Sequence, residues 1–168
     1  MNILFLCTGN SCRSILAEAI FNHLAPNDWR AQSAGSQPTG FVHPHALALL
    51  ASENIPTQNC RSKSWHALPM NPELVISVCS NAAAEVCPVY WGDALRAHWG
   101  VNDPAKVQGS PQKIQGAFKK TYLILRQRIE TFLALDLADL KNDPLKLLHE
   151  LNRIGLLFAD ELVVDELS

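Results

Sequence analysis

The chain lacks any excess of positive charge. Its 168 residues carry 14 Lys and Arg against 16 Asp and Glu, a net charge of −2. A nucleic-acid partner, which needs a basic face, is therefore not expected. It also lacks an apolar run long enough to cross a bilayer, so no membrane span is expected. Met1-Asn2-Ile3-Leu4-Phe5-Leu6 has neither the basic start nor the small-residue cleavage site of a signal peptide, and a cytoplasmic location is expected. There is no internal repeat and no low-complexity linker. No cysteine pair has a second pair at zinc-site spacing, so neither a structural metal nor a cofactor is expected. The five cysteines, Cys7, Cys12, Cys60, Cys79 and Cys87, are an odd number, which disfavours a static disulfide framework and favours reactive thiols.

Hydrophobic residues make up 48% of the chain, enough for one well-filled core. Asn2 to Leu6 reads as a buried strand running into a tight loop. A helix follows, with Ser14 as its cap, Ile15, Leu16, Ala19, Ile20 and Leu24 as its apolar face, and Pro26 as its stop. Further strands are expected at Trp29–Ser33, Glu73–Val78 and near Leu95–Trp99. Helices are expected at His45–Asn54 with Pro44 in the first turn, at Ala82–Glu85, at about Gln115–Leu135, and from Asp143-Pro144 to Ile154. Strands alternating with helices imply an α/β fold, a parallel sheet covered on both faces, with its site beyond the carboxyl ends of the strands. The loop after the first strand and Cys79 at the end of the third both fall there.

That loop reads Cys7-Thr8-Gly9-Asn10-Ser11-Cys12-Arg13-Ser14. Between a strand and a helix, such a segment turns backbone N–H groups inward and makes an anion cradle. Gly9 and Ser11 let the backbone curl, and Asn10 tolerates a left-handed conformation. Arg13 supplies a planar fork for two oxygens of a tetrahedral anion. The same positive field favours the Cys7 thiolate, to which Ser14 can add a hydrogen bond, so a nucleophile is expected beneath the bound anion.

These residues resemble the low-molecular-weight tyrosine phosphatases and the arsenate reductases built on the same fold. The resemblance implies a four-stranded parallel sheet flanked by helices, a three-layer flavodoxin-like arrangement. It also implies that Asp103, in Asp103-Pro104, is the general acid. Two segments resemble the reductases: Val78-Cys79-Ser80-Asn81-Ala82-Ala83-Ala84-Glu85-Val86-Cys87-Pro88 and His98-Trp99-Gly100-Val101-Asn102-Asp103-Pro104. Phosphatases of this family usually place an aromatic after Asp-Pro, and here Ala105-Lys106 follows.

The implied function is a thiol-coupled arsenate reductase of proteobacterial type. Cys7 attacks arsenate, Cys79 attacks the Cys7 sulfur to release arsenite, and Cys87 carries the disulfide outward to thioredoxin, or glutathione with glutaredoxin completes the cycle. Cys79 and Cys87 stand C-x7-C, one residue longer than in the triple-cysteine reductases, so the helix between them must partly unwind. Some of these reductases bind potassium through residues matching Asn10, Glu18 and Ser33. Here the Lys63 ammonium is expected in the cation's place, pairing with Glu18 and fixing Asn10. The alternatives are a low-molecular-weight phosphatase working through a Cys7 phosphocysteine, and a catalytically silent oxyanion sensor. Residues 1–135 are expected to form the catalytic domain, and 136–168 a helical extension packed on it. The apolar series in the extension packs on the back of a monomer or forms a homodimer contact.

Overall fold

Asn2–Leu6 forms β1, and from Ile3 to Leu6 it is fully enclosed. A strand apolar on both faces needs cover on both, and a parallel sheet flanked by helices provides it. The structure, a computed structural model, describes residues 1–85, 88 and 91–158. The other strands are β2 (Arg30–Ala34), β3 (Leu74–Ser77) and β4 (Leu95–His98). All pair in parallel in the order β2-β1-β3-β4. The helices are α1 (Arg13–Leu24), α2 (Pro44–Ser52), α3 (Ser80–Ala84), α4 (Pro111–Leu133), α5 (Leu137–Lys141) and α6 (Pro144–Gly155). The expected four-stranded parallel sheet with flanking helices is the architecture found.

The order reverses between β1 and β3, with Leu6 in register with both Ala34 and Ser77. The strand ends carrying Cys7 and Cys79 therefore lie side by side at a topological switch point, where open parallel sheets hold their ligands. Beneath them the aromatic rings lock together. Phe5 meets Phe21 at 5.9 Å between centroids, and Trp29 meets Phe132 edge-on at 5.6 Å.

Two helix starts and one additional helix depart from expectation for reasons visible in the structure. α1 begins at Arg13 with Cys12 at its cap position and no side-chain cap bond, so Ser14 lies inside the first turn. α4 begins four residues early, because Ser110 Oγ accepts from the Lys113 N–H at 3.2 Å and Pro111 takes the first helical position. The expected stripe, Phe118, Tyr122, Leu125, Ile129 and Phe132, is buried. After α4 the chain makes a short helix, α5, capped by Asp136, which sequence periodicity alone does not separate from its neighbours.

α6 packs on β4 and α4, burying Leu147, Leu151 and Ile154, and the Trp99 indole N–H donates to the Leu151 carbonyl at 2.7 Å. Among the described residues no helix is long and apolar enough to cross a membrane.

Candidate active site

β1 delivers Cys7 to the switch point, and the Cys7 N–H continues the sheet by donating to the Ala34 carbonyl at 3.2 Å. Beyond it the carbonyls of Thr8, Gly9 and Ser11 turn outward, accepting from the N–H groups of Gln37 (3.0 Å), Thr39 (3.0 Å) and His43 (2.8 Å). Carbonyls facing out leave N–H groups facing in, the condition for an anion cradle. Asn10 takes the left-handed conformation, with φ of 43°. It is fully buried, and its side chain ties the loop on two sides. Nδ2 donates to Ser14 Oγ at 2.8 Å, and Oδ1 accepts from the Lys63 backbone N–H at 2.8 Å. Ser14 is thus engaged with Asn10. The Lys63 main chain, not its ammonium as expected, fixes Asn10.

The Lys63 ammonium instead lies 3.6 Å from the Glu18 carboxylate, and Ser33 Oγ donates to the same carboxylate oxygen. Burial pushes the Glu18 carboxyl above its ordinary range, against the pull of Lys63 and Ser33. Among the described residues no cluster of His, Cys, Asp and Glu suits a metal ion.

Arg13 opens α1 and reaches over the loop. Its Nη1 donates to the Val101 carbonyl at 3.1 Å, and its Nη2 meets Asp103 Oδ2 at 3.3 Å. Asp103 is fixed from its other side, where Oδ1 accepts from the Ala105 N–H at 3.0 Å at the start of a short 3-10 turn, Pro104–Lys106. The Asp-Pro pair therefore does more than turn the chain: it holds a carboxylate against the arginine of the cradle.

Cys79 caps α3, its sulfur accepting from the Ala82 N–H at 3.4 Å. Its interaction with Cys7, with burial, pushes the Cys7 thiol up, against Arg13 and the N–H of Gly9, where a favoured thiolate was expected. The same interaction, aided by the N–H groups of Thr8 and Ala82, takes the Cys79 thiol down to about 5. Cys12, within the loop, is buried, and burial pushes its thiol up to about 12, so it stays protonated.

Cys7, Thr8, Gly9, Arg13, Cys79 and Asp103 line one open cleft of about 570 Å³, with Lys106 also on its wall. Cys87 lies outside the described residues. Lys106 as part of the cleft, and the bond from Thr8 Oγ1 to Glu85 Oε1 at 2.9 Å, are features that sequence reasoning missed. Their only signals were closeness in sequence to Asp103 and Cys79.

A parallel sheet whose switch point holds a cysteine at the foot of a loop ending in an arginine, with an aspartate facing that arginine, is an arrangement suited to binding an oxyanion beside a thiol. The chain belongs to the low molecular weight phosphotyrosine protein phosphatase family, whose model matches residues 2–145. An arsenate reductase of Shouchella clausii is 34% identical over 131 residues, covering 77% of this chain and 93% of that protein. The arsenate reductase of Archaeoglobus fulgidus, at 24% identity, superposes with a TM-score of 0.66 over 79% of this chain and 99% of its own. A low molecular weight protein tyrosine phosphatase from T. tengcongensis, at 25% identity, gives 0.61 over 77% and 95%.

Proposed function

We propose that the chain reduces arsenate to arsenite through a Cys7 thiolate adduct, as the names of its curated relatives suggest. One observation carries the reading. Cys79 lines the same cleft as Cys7 and Arg13, at the end of the strand beside that of Cys7, a placement that phosphoester hydrolysis does not need.

Arsenate enters the loop and takes the Arg13 fork, displacing Asp103 from its ion pair and leaving it beside the departing oxygen as general acid. Thr8, Gly9, Asn10, Ser11 and Cys12 contribute the cradle, and Ser14 holds its shape through Asn10. Cys7 bonds to arsenic as water departs. Cys79 then attacks the Cys7 sulfur, and the electron pair of the S–As bond stays on arsenic, which leaves as arsenite. The product is a Cys7–Cys79 disulfide. Cys87 exchanges with Cys79 and presents the disulfide to thioredoxin, with glutathione and glutaredoxin as the other thiol source. We assign this chemistry to residues 1–135, with 136–168 as a supporting extension.

Arsenate mixed with reduced enzyme under anaerobic single-turnover conditions tests this. Stoichiometric arsenite with Cys7 and Cys79 oxidised is expected, and Cys79→Ser should stop arsenite release. A second reading, a phosphatase, is favoured by the Arg13–Asp103 pair over Cys7, which serves phosphoryl transfer equally well. No arsenite and no thiol loss, with fast hydrolysis of an aryl phosphate, would establish it instead.

A further inference from the structure

Thr8 stands between Cys79 and Glu85. Its Oγ1 donates to Glu85 Oε1 at 2.9 Å and lies 3.9 Å from Cys79 Sγ, at the long end for a sulfur contact. A carboxylate only accepts, and a hydroxyl carries one hydrogen. With that hydrogen on Glu85, Thr8 turns a lone pair to Cys79, so any proton between them must come from the thiol. The placement follows from the shortness of α3: Cys79 caps its start and Glu85 follows its last residue, so both ends overlie the loop. Glu85 Oε2 is buried and has no hydrogen-bond partner among the described residues. A buried carboxylate oxygen left unpaired is costly, and taking up a proton relieves that cost.

We propose that Glu85 is the proton acceptor for Cys79, reached through the hydroxyl of Thr8, in the step where Cys79 attacks the sulfur of Cys7. This deepens the arsenate reductase reading and rests on it. When Cys7 bonds to arsenic, the interaction that lowers the Cys79 pKa ends, so Cys79 takes up the proton that Cys7 gives up and must lose it again to act as a nucleophile.

The Cys79 proton then moves to Thr8 Oγ1 while the hydroxyl's own hydrogen moves to Glu85. The freed sulfur pair bonds to the Cys7 sulfur, and the S–As pair remains on arsenic. Arsenic gains two electrons, the two thiols are oxidised to one disulfide, and Glu85 holds the proton until water takes it. The other charged or titratable groups at Cys79 are Cys7 and Arg13, with Asp103 and Lys106 lining the same cleft. Asp103, displaced from Arg13 by arsenate, stays held by the Ala105 N–H and shares no hydrogen bond with Cys79 among the described residues, whereas Thr8 Oγ1 lies 3.9 Å from that sulfur; the two cations are not bases.

The test is rapid-quench arsenite formation in a single turnover, from slightly acidic to alkaline pH. Glu85→Gln keeps the shape and the bond to Thr8 but removes the proton acceptor, and Thr8→Val removes the bridge. Both are expected to slow arsenite formation at neutral pH by about 100-fold, the lower end for a lost general base. Both rates should then climb about tenfold per pH unit and converge on the parent in the ordinary thiol range. Variants within about twofold of the parent at neutral pH, or slowed equally at all pH values as structural damage would do, overturn the proposal alone. A parent chain that makes no arsenite overturns the reductase reading together with it.

Discussion

Arg128 offers the sharpest check on how the C-terminal helix relates to the site. It lies in α4, fully enclosed, and satisfies its guanidinium with carbonyls alone. Nε donates to Leu157 O at 3.1 Å, and Nη1 to Trp99 O at 3.0 Å and Gly100 O at 3.3 Å. Burial lowers its pKa to about 10, so it remains charged at neutral pH. Arg128→Met fills similar volume but strips a partner from all three carbonyls. Each buried acceptor so orphaned costs roughly 1–3 kcal/mol, offset by the guanidinium no longer being desolvated. We expect a net loss of about 3 kcal/mol, which for a chain of this size lowers Tm by about 10 °C. Arg128→Lys, which keeps the charge and reaches fewer carbonyls, should lose about half as much. Urea unfolding, followed by circular dichroism and by the buried Trp99, measures both. Arg13 binds the carbonyl of Val101, next to Gly100, so weaker phosphate binding should accompany the loss. Arg128→Met within about 1 kcal/mol of the parent refutes the reasoning, since about three lost bonds cannot cost so little.

Three further outcomes are expected. A Cβ at Gly35 lies 2.3 Å from the Thr8 carbonyl and 2.6 Å from that of Cys7, so Gly35→Ala should cost about 1–3 kcal/mol and weaken phosphate competition; unchanged competition would show that the loop yields freely. Iodoacetamide reads the thiolate, so Cys79 alkylation should reach half its maximum near about 5, the value to which its interaction with Cys7 takes it. In Cys7→Ala that interaction is lost and the midpoint should rise toward about 8.5, while an unmoved midpoint would mean that Cys7 does not lower it. With the Lys63 ammonium already on Glu18, turnover should be the same in potassium as in sodium, and a steep rise with potassium would count against that pairing.

Sequence reasoning reached the loop because its signals are local. A buried strand, a left-handed Asn10 and an arginine at the helix start lie within a dozen residues of each other. The neighbours of Cys79 were harder. Its pairing with Cys7 depends on β3 lying beside β1, which the switch-point rule suggests, but its approach to Thr8 and Glu85 depends on α3 ending after five residues. Ser14 was misread as a cap because a serine before an apolar run is the usual signal, and here Asn10 claims its hydroxyl. Arg128 was illegible because an arginine on an amphipathic helix normally faces water. Only the fold brings the Trp99–Gly100 and Leu157 carbonyls to it.

The choice between reductase and phosphatase also has a local physical basis. The resemblance to the tyrosine phosphatases implies an aromatic after Asp-Pro, lining a slot for the substrate's phenyl ring. Here exposed Ala105 and Lys106 take those places, with Lys106 at the cleft. An inorganic oxyanion has no ring to stack and gains from the added positive charge, whereas an aryl phosphate forgoes about 0.5–1.5 kcal/mol of aromatic contact. Ala105→Tyr should restore that contact and lower the KM for an aryl phosphate by up to about tenfold, the equivalent of about 1.4 kcal/mol. The backbone N–H that holds Asp103 remains, so the single-turnover rate with arsenate should not change. If KM for the aryl phosphate stays put, the missing aromatic does not separate the two readings, and the proposed reductase reading rests on Cys79 beside Cys7 alone.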